Sequence, residues 1–409
     1  MNPRDDQDAR GSRGPQPMHA RRMRDVERLA DRVAYSDEDG GYLYRPGELL
    51  VSPDMVDELR AETRGEALEP DEETNARLVR GDVHLQRWRV PSHVRIGALE
   101  RTLSRAADAK QGVVAVNHVF TGEPIYYGGP GGEPEPSAQL VAAQPVITMT
   151  GTPALAVLDT GVPVPVPQFI AGSLVADSGT DVDLLDEDDD GDLDTQAGHG
   201  TFVVGLAQRV IPGLPMEQQK VLDSMGFGDD LTVCLGLAEA VAPVVNMSLG
   251  GYTGGNRPPR ALRQALRSVG RRRVVVAAAG NNASDRPFWP AAFPEVIAVA
   301  AYDSRTEEAA GFSNFGDWVD VSAPGVGLRS CFVDGTRANG TGDVTFDGWA
   351  QWSGTSFAAP IVAAEIARRV AASGSAEPRQ VALDFLAELP AAPWPGYGQR
   401  YEPKLDLTA

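Results

Sequence analysis

The chain has 409 residues, 42% of them hydrophobic, and a formal net charge of −20. That length leaves room for two or three domains and the apolar content supports a real core, while the negative charge argues against nucleic acid or an anionic membrane as partner. No run of about 18 apolar residues is present, so no membrane span is expected, and two cysteines, Cys234 and Cys331, are too few for a disulfide framework.

Residues 1–42 are polar and charged and read as a disordered tail, with room for a short helix over Arg22–Val33. They lack the apolar core of an ordinary secretory signal, which favours the cytoplasm; export by another route stays open. Residues 43–120 have a different texture. Glu48–Ser52 predicts a strand, and Pro53 opens a helix to about Arg60. Ala76–Arg80 and Val83–Val90 flank Gly81-Asp82 as a hairpin, Ile96, Leu99 and Leu103 fall at helical spacing, and Val113–Phe120 closes as a strand. That order suits a small α+β module of ferredoxin-like type. Residues 121–145, with Gly128–Gly132 and Glu133–Pro136, read as a linker.

Residues 146–391 read as α/β. Apolar strands are predicted at Ala154–Leu158, Val244–Met247, Val274–Ala279 and Val296–Ala301, with helices at Thr201–Val210, Leu231–Val241 and Arg260–Val269. Continuous Val/Ala strands imply burial on both faces, hence a parallel sheet covered by helices. Residues 392–409 read as a C-terminal tail.

Four segments there place a reactive group beside small residues. Asp159, in Val157-Leu-Asp-Thr-Gly161, leaves a buried strand; Asp-Thr-Gly also marks aspartic proteases, but one copy lacks the paired carboxylates of that chemistry. His199, in Gly198-His-Gly-Thr201, is the only one of five histidines inside the α/β region. Ser356, in Gly354-Thr-Ser-Phe-Ala-Ala-Pro360, precedes an apolar helical run, with Pro360 expected in its first turn. Unpaired N–H groups at such a helix start favour a developing negative charge. An alcohol becomes a good nucleophile only when a base takes its proton and an acid orients the base. Asp159, His199 and Ser356 supply those roles, and Asn281, ending Ala277-Ala-Ala-Gly-Asn281, supplies an amide for an oxyanion. Each alone reads as well as a cap, a turn or a structural residue.

Together and in this order, the four segments resemble the subtilisin-like serine proteases, the subtilases. The resemblance covers roughly Pro145 to Ala391. It implies a parallel-sheet catalytic domain and serine endopeptidase activity through an acyl-enzyme. Asp159 would be the orienting acid, His199 the general base then acid, Ser356 the nucleophile and Asn281 the oxyanion donor. Ser248, Leu249 and Gly250 resemble the family's strand that pairs with substrate, and Ala279 and Gly280 the strand before the oxyanion asparagine. The resemblance places Phe288 near the base of the pocket for the residue before the cleaved bond, where it is expected to shorten the pocket and favour small or medium residues. The expected partners are a peptide or protein substrate and the N-terminal module in cis, as a propeptide processed near Tyr126–Gly132 or as a permanent accessory domain. A silent peptide-binding relative and an esterase are the rival readings. The intact set of polar groups opposes the first, and the absence of Gly-x-Ser-x-Gly around Ser356 opposes the second.

The resemblance implies no cofactor for the chemistry. Asp186, Asp188, Asp190 and Asp192 alternate just before His199, like half of a calcium loop, yet the expected twelfth-position Glu is absent. A structural calcium, a solvated acidic loop and an acidic subsite for Lys or Arg all remain open.

Overall fold

The computed structural model describes residues 32–36, 41–64, 66–122, 132–140, 152–175, 181–269, 272–339, 342–375 and 377–408. Most of the predicted tail, with the helix at Arg22–Val33, and most of the processing stretch Tyr126–Gly132 lie outside the described residues.

The N-terminal part runs β1 (Ala34–Ser36), β2 (Tyr42–Val51), α1 (Val56–Glu62), β3 (Glu69–Pro70), α2 (Glu72–Arg80), β4 (Gln86–Arg89), α3 (Ile96–Lys110) and β5 (Val114–Thr121). One expectation fails here: Ala76–Arg80 is helix, not the first arm of a hairpin. The Asp71 carboxylate caps the Thr74 N–H at 3.0 Å, Glu72 and Glu73 fill the first turn and Arg77 and Arg80 the last. These end effects favour a helix and prevail over the strand-like Leu78-Val79.

The chain continues through β6 (Glu135–Pro136), β7 (Leu155–Asp159), α4 (Gln168–Ala171), α5 (His199–Val210), β8 (Met216–Lys220), β9 (Phe227–Asp229), α6 (Asp230–Glu239), β10 (Val244–Met247), α7 (Arg260–Val269), β11 (Val274–Ala278) and β12 (Val296–Asp303). It closes with β13 (Glu308–Ala309), β14 (Val321–Pro324), β15 (Leu328–Cys331), β16 (Gly335–Asn339), β17 (Gly342–Phe346), β18 (Trp349–Trp352), α8 (Thr355–Ser373), α9 (Pro378–Glu388) and β19 (Gln399–Arg400).

The main sheet has the order β19-β14-β12-β11-β10-β7-β8, every neighbour pair parallel, with β13 antiparallel beside β12. The strands predicted from the sequence, β7, β10, β11 and β12, are buried on both faces as expected, whereas the edge strands β8 and β19 are half-buried. Val157, Val244 and Val276 join α5 and α8 in one core, while Ala156, Leu158, Val245 and Val275 join α6 and α7 in another. The second core also takes Leu50, Ala115 and Phe120 from the N-terminal sheet. That sheet is antiparallel, ordered β3-β4-β2-β5-β9 with β1 on β2. Alternation along β5 explains the junction: Val114 and Val116 face α3, whereas Ala115 faces the larger unit. β9 belongs to the α/β part of the chain, so its pairing with β5 ties the two units together by backbone hydrogen bonds. β19 lies in the predicted C-terminal tail yet forms the edge of the main sheet. Among the described residues no helix is long and apolar enough to cross a membrane.

Candidate active site

Asp159 is the last residue of β7, at the carboxyl edge of the parallel sheet, where such folds gather their ligands. Its Oδ1 accepts from the Thr160 N–H at 2.8 Å and lies 2.7 Å from Nδ1 of His199, and both side chains are buried. The flanking glycines make this approach possible. A Cβ on Gly200 would stand 2.4 Å from the Gly161 carbonyl oxygen, and Gly198 is left-handed at φ +78° with Phe332 against its Cα. His199 therefore starts α5 directly over the turn that follows Asp159. Its ring meets Trp352 edge-on at 5.5 Å and Phe357 at 5.3 Å.

A second carboxylate, not singled out from the sequence, braces this turn. Asp183 Oδ2 accepts from the Gly198 N–H at 2.8 Å and from Thr160 Oγ1 at 3.0 Å, and Thr160 Oγ1 accepts from the Gly200 N–H at 3.0 Å. Burial pushes the Asp183 carboxyl up to about 6, against the opposing pull of these hydrogen bonds. Its only sequence signal was its place at the head of the acidic run.

Ser356 is in the first turn of α8, with Gly354 as the cap residue. Its Oγ has two acceptors in reach, the carbonyl of Gly122 at 3.1 Å and that of Ser248 at 3.3 Å. Pro360 lies in the second turn of the helix rather than the first, because the helix starts at Thr355. It has no N–H for the Ser356 carbonyl, a defect that normally strains a helix interior. Here the Ser248 hydroxyl donates to that carbonyl at 2.6 Å, and Asn246 Nδ2 donates to the Ser248 hydroxyl at 2.9 Å.

Asn281 follows β11. Its Oδ1 accepts from both the N–H and the hydroxyl of Thr355 at 2.9 Å, which turns Nδ2 toward Gly354. Asn314, also missed from the sequence, supports the same turn by donating to the Ala279 carbonyl at 2.8 Å and accepting from the N–H groups of Asn282 and Ser284. Asp159, His199, Ser356 and Asn281 thus lie on segments joined by direct contacts at one edge of the sheet.

Gly250 exchanges both backbone hydrogen bonds with Thr121, each at 2.9 Å. Leu249 is buried beside it. Phe288 packs between Gly250 and Gly280. A Cβ at Gly250 would sit 2.2 Å from its ring, and at Gly280 3.0 Å from it. Tyr252 crosses the Phe288 ring edge-on at 5.2 Å, under the Arg286 guanidinium at 4.3 Å.

The acidic run is brought together only in part. Asp186 and Asp188 offer carboxylate oxygens within 4.8 Å of each other and of Asp194, whereas Asp190 and Asp192 stand outside this group. Asp186 accepts the N–H groups of Asp190 and Gly191, so the alternation builds a turn. Asp194 accepts from the Glu187 N–H at 2.7 Å and the Ser224 hydroxyl at 2.5 Å, and burial raises its carboxyl above the usual range.

A parallel sheet carrying an acid, an imidazole and a helix-borne hydroxyl at its carboxyl edge is the framework of a hydrolase. Residues 151–383 match the subtilase family, peptidase S8, and the chain belongs to that family. It is 35% identical over 223 residues to the thermophilic serine proteinase of Bacillus sp. (strain AK1), covering 51% of this chain and 50% of that protein. It is 33% identical over 222 residues to thermitase of Thermoactinomyces vulgaris, covering 51% and 71%. Subtilisin E of Bacillus subtilis (strain 168) is 35% identical over 183 residues, covering 41% and 44%. The chain thus spans about half the length of most of these relatives. A solved structure of a cold adapted subtilisin-like serine proteinase aligns with a TM-score of 0.48 and 26% identity, over 62% of this chain and 89% of that one.

Proposed function

We propose that the protein is a serine endopeptidase. Ser356 Oγ attacks the peptide carbonyl while His199 takes its proton, and Asp159 holds the imidazole in the right tautomer and stabilises the imidazolium. Asn281 Nδ2 and the Ser356 N–H donate to the oxyanion of the tetrahedral intermediate. His199 then returns the proton to the leaving amine, and water repeats the sequence on the acyl-enzyme. No cofactor enters these steps. The observation that carries the reading is the 2.7 Å contact of His199 with Asp159 beside the helix start that bears Ser356. Family membership supports it.

Ser248–Gly250 and Ala279–Gly280 form the substrate edge in this reading, and the ring of Phe288 shortens the pocket between them. Peptides with small or medium residues before the cleaved bond are the expected substrates. A library screen with strong preference for Phe or Tyr there would sink this part.

The N-terminal module acts in cis, its last described residues lying in the cleft. Support comes from the pairing of Thr121 with Gly250 and the contact of Gly122 with Ser356. For the acidic group, the hard oxygens of Asp186, Asp188 and Asp194 suit calcium. Added calcium would then raise the melting temperature of the wild type and not of Asp188→Asn.

The test of the whole is fluorophosphonate labelling of the full chain beside Ser356→Ala, with intact mass followed over time. Labelling that depends on Ser356 upholds the enzyme, and loss of an N-terminal piece in the wild type alone adds self-processing. A chain that takes no label, whole or after limited proteolysis has removed the residues up to Ala138, refutes the activity.

A further inference from the structure

Two separate stretches of the chain dock near Ser356, each on its own wall, one meeting its hydroxyl and the other lying along β18, the strand that precedes it. Along the first wall, β5 pairs with β9, Thr121 pairs with Gly250, and the Gly122 N–H donates to the Gly226 carbonyl at 3.3 Å before the Gly122 carbonyl meets Ser356. Along the second wall, β6 adds antiparallel to β18, with Glu135 opposite Gln351 and Pro136 opposite Ala350. The Ser137 N–H donates to the Trp349 carbonyl at 3.1 Å, Trp352 Nε1 donates to the Gly132 carbonyl at 3.0 Å, and Arg329 holds the Ala138 carbonyl.

β18 leads through Ser353, Gly354 and Thr355 into Ser356, and Trp352 stands edge-on to His199. The first wall belongs to the Ser248–Gly250 strand and the second to the His199 side. A peptide lying on both would pass the Ser356 hydroxyl between them. The sequence of the second stretch suits an edge ligand. Pro134 and Pro136 restrict Glu133-Pro-Glu-Pro136 to extended backbone at little entropic cost, and their missing N–H groups discourage a further strand on its outer side.

We propose that residues 132–138 are a built-in ligand of β18, occupying the wall on which the part of a substrate beyond the cleaved bond adds as a strand. The surface fits an extended peptide joined by backbone hydrogen bonds, and this chain supplies one. Substrate must therefore displace a segment of the protein on each side of Ser356. A cut anywhere between Gly122 and Gly132 leaves both new ends with their own docking contacts, so cutting alone does not clear the cleft. The proposal rests on the reading of Ser356 as nucleophile for its consequence, but not for the docking itself.

The experiment uses the full chain with Glu133→Gly, Pro134→Ser, Glu135→Gly and Pro136→Ser together, and separately Arg329→Ala, which leaves the strap sequence intact. Amide exchange over Trp349–Trp352 reads the docking without any need for activity. It is expected to quicken about tenfold in the first variant and less in the second. Two fluorogenic peptides, identical up to the cleaved bond, read the consequence. One ends there in a small leaving group and the other continues for several residues. KM should fall about tenfold for the extended peptide alone. Unchanged exchange in both variants, or an equal gain for both peptides, overturns the proposal. Quickened exchange in a chain that hydrolyses neither peptide upholds the docking and counts against the nucleophile instead.

Discussion

His199 and His118 each bury a ring nitrogen against an aspartate, at 2.7 Å to Asp159 and 2.8 Å to Asp230, yet the two pairs stand in unlike surroundings. His199 and Asp159 belong to one unit, at the carboxyl edge of the parallel sheet, with aromatic rings around the imidazole and a hydroxyl on the adjoining helix. His118 lies on β5 and Asp230 opens α6, so this pair spans the two sheets. Asp230 also accepts the backbone N–H of His118 at 3.1 Å, a bond that fixes the strand rather than the ring. An imidazole against a carboxylate is thus a structural module of no fixed purpose. What lies within reach of the second ring nitrogen, and which elements the pair connects, decides between chemistry and adhesion.

Removing each carboxylate tests that distinction, and the largest effect is expected at Asp159. Asp159→Asn should lower kcat/KM on a peptide substrate by about 10⁴-fold, because the amide no longer holds the working tautomer of His199. Its melting temperature should fall as well, since this pair is buried at least as deeply as the other. Asp230→Asn should cost stability alone. It breaks a fully buried pair and is expected to cost about 3 kcal/mol in urea denaturation, while fluorophosphonate labelling of Ser356 is kept or quickened. Equal loss of labelling in both variants would abolish the contrast.

A smaller effect is expected from Asp183→Asn. Its amide can offer an oxygen to Gly198 and Thr160 only by turning its NH2 toward the Leu185 N–H, which the other carboxylate oxygen accepts at 3.3 Å, so the anchor that Gly198 and Thr160 share is weakened. A fall in kcat of about tenfold, with KM little changed, would mark a positioning role; unchanged kinetics would confine Asp183 to folding.

The smallest effect is with pH. For His118, burial pulls the pKa down, but the hydrogen bond and charge of Asp230 raise it overall, while burial raises the carboxyls of Asp230 and nearby Glu100. Each of these groups binds its proton more tightly in the folded chain. For His118 that contribution is whole below the free imidazole value of 6.5 and is lost as pH rises through the raised folded value. The junction of β5 with α6 should therefore loosen from neutral to mildly alkaline pH, seen as faster amide exchange over Val114–Thr121. His118→Gln should flatten that trend; a wild-type profile already flat would deny the pair any such part.

The α/β unit was largely legible in the sequence because its signals are local. Strands buried on both faces are apolar at nearly every position, so Val244–Met247 and Val274–Ala278 stood out. Met216–Lys220 did not, since a polar edge strand carries little pattern. The candidate residues were visible through their small neighbours, of which Gly200 is demanded by the tight approach of α5 to Gly161. Asp183, Asn314 and the His118–Asp230 pair were not visible. Their roles come from partners far along the chain, and nothing in the adjoining residues encodes those meetings. The helix at Glu72–Arg80 carries its signals at its ends, in the Asp71 cap and the charged first and last turns, while the adjacent Leu78 and Val79 imitate a strand.

Pro360 makes a local defect useful to the whole site. A proline inside a helix leaves one carbonyl wanting, and here it is the carbonyl of Ser356, which the Ser248 hydroxyl claims. The helix that bears Ser356 is thereby latched to the end of β10 through Ser248, and the two are set to move as one body. Alanine at this position, the best of helix formers, would supply the missing N–H and compete for that carbonyl. The helix would gain regularity as the latch slackened, so a change that improves the element would degrade the machine.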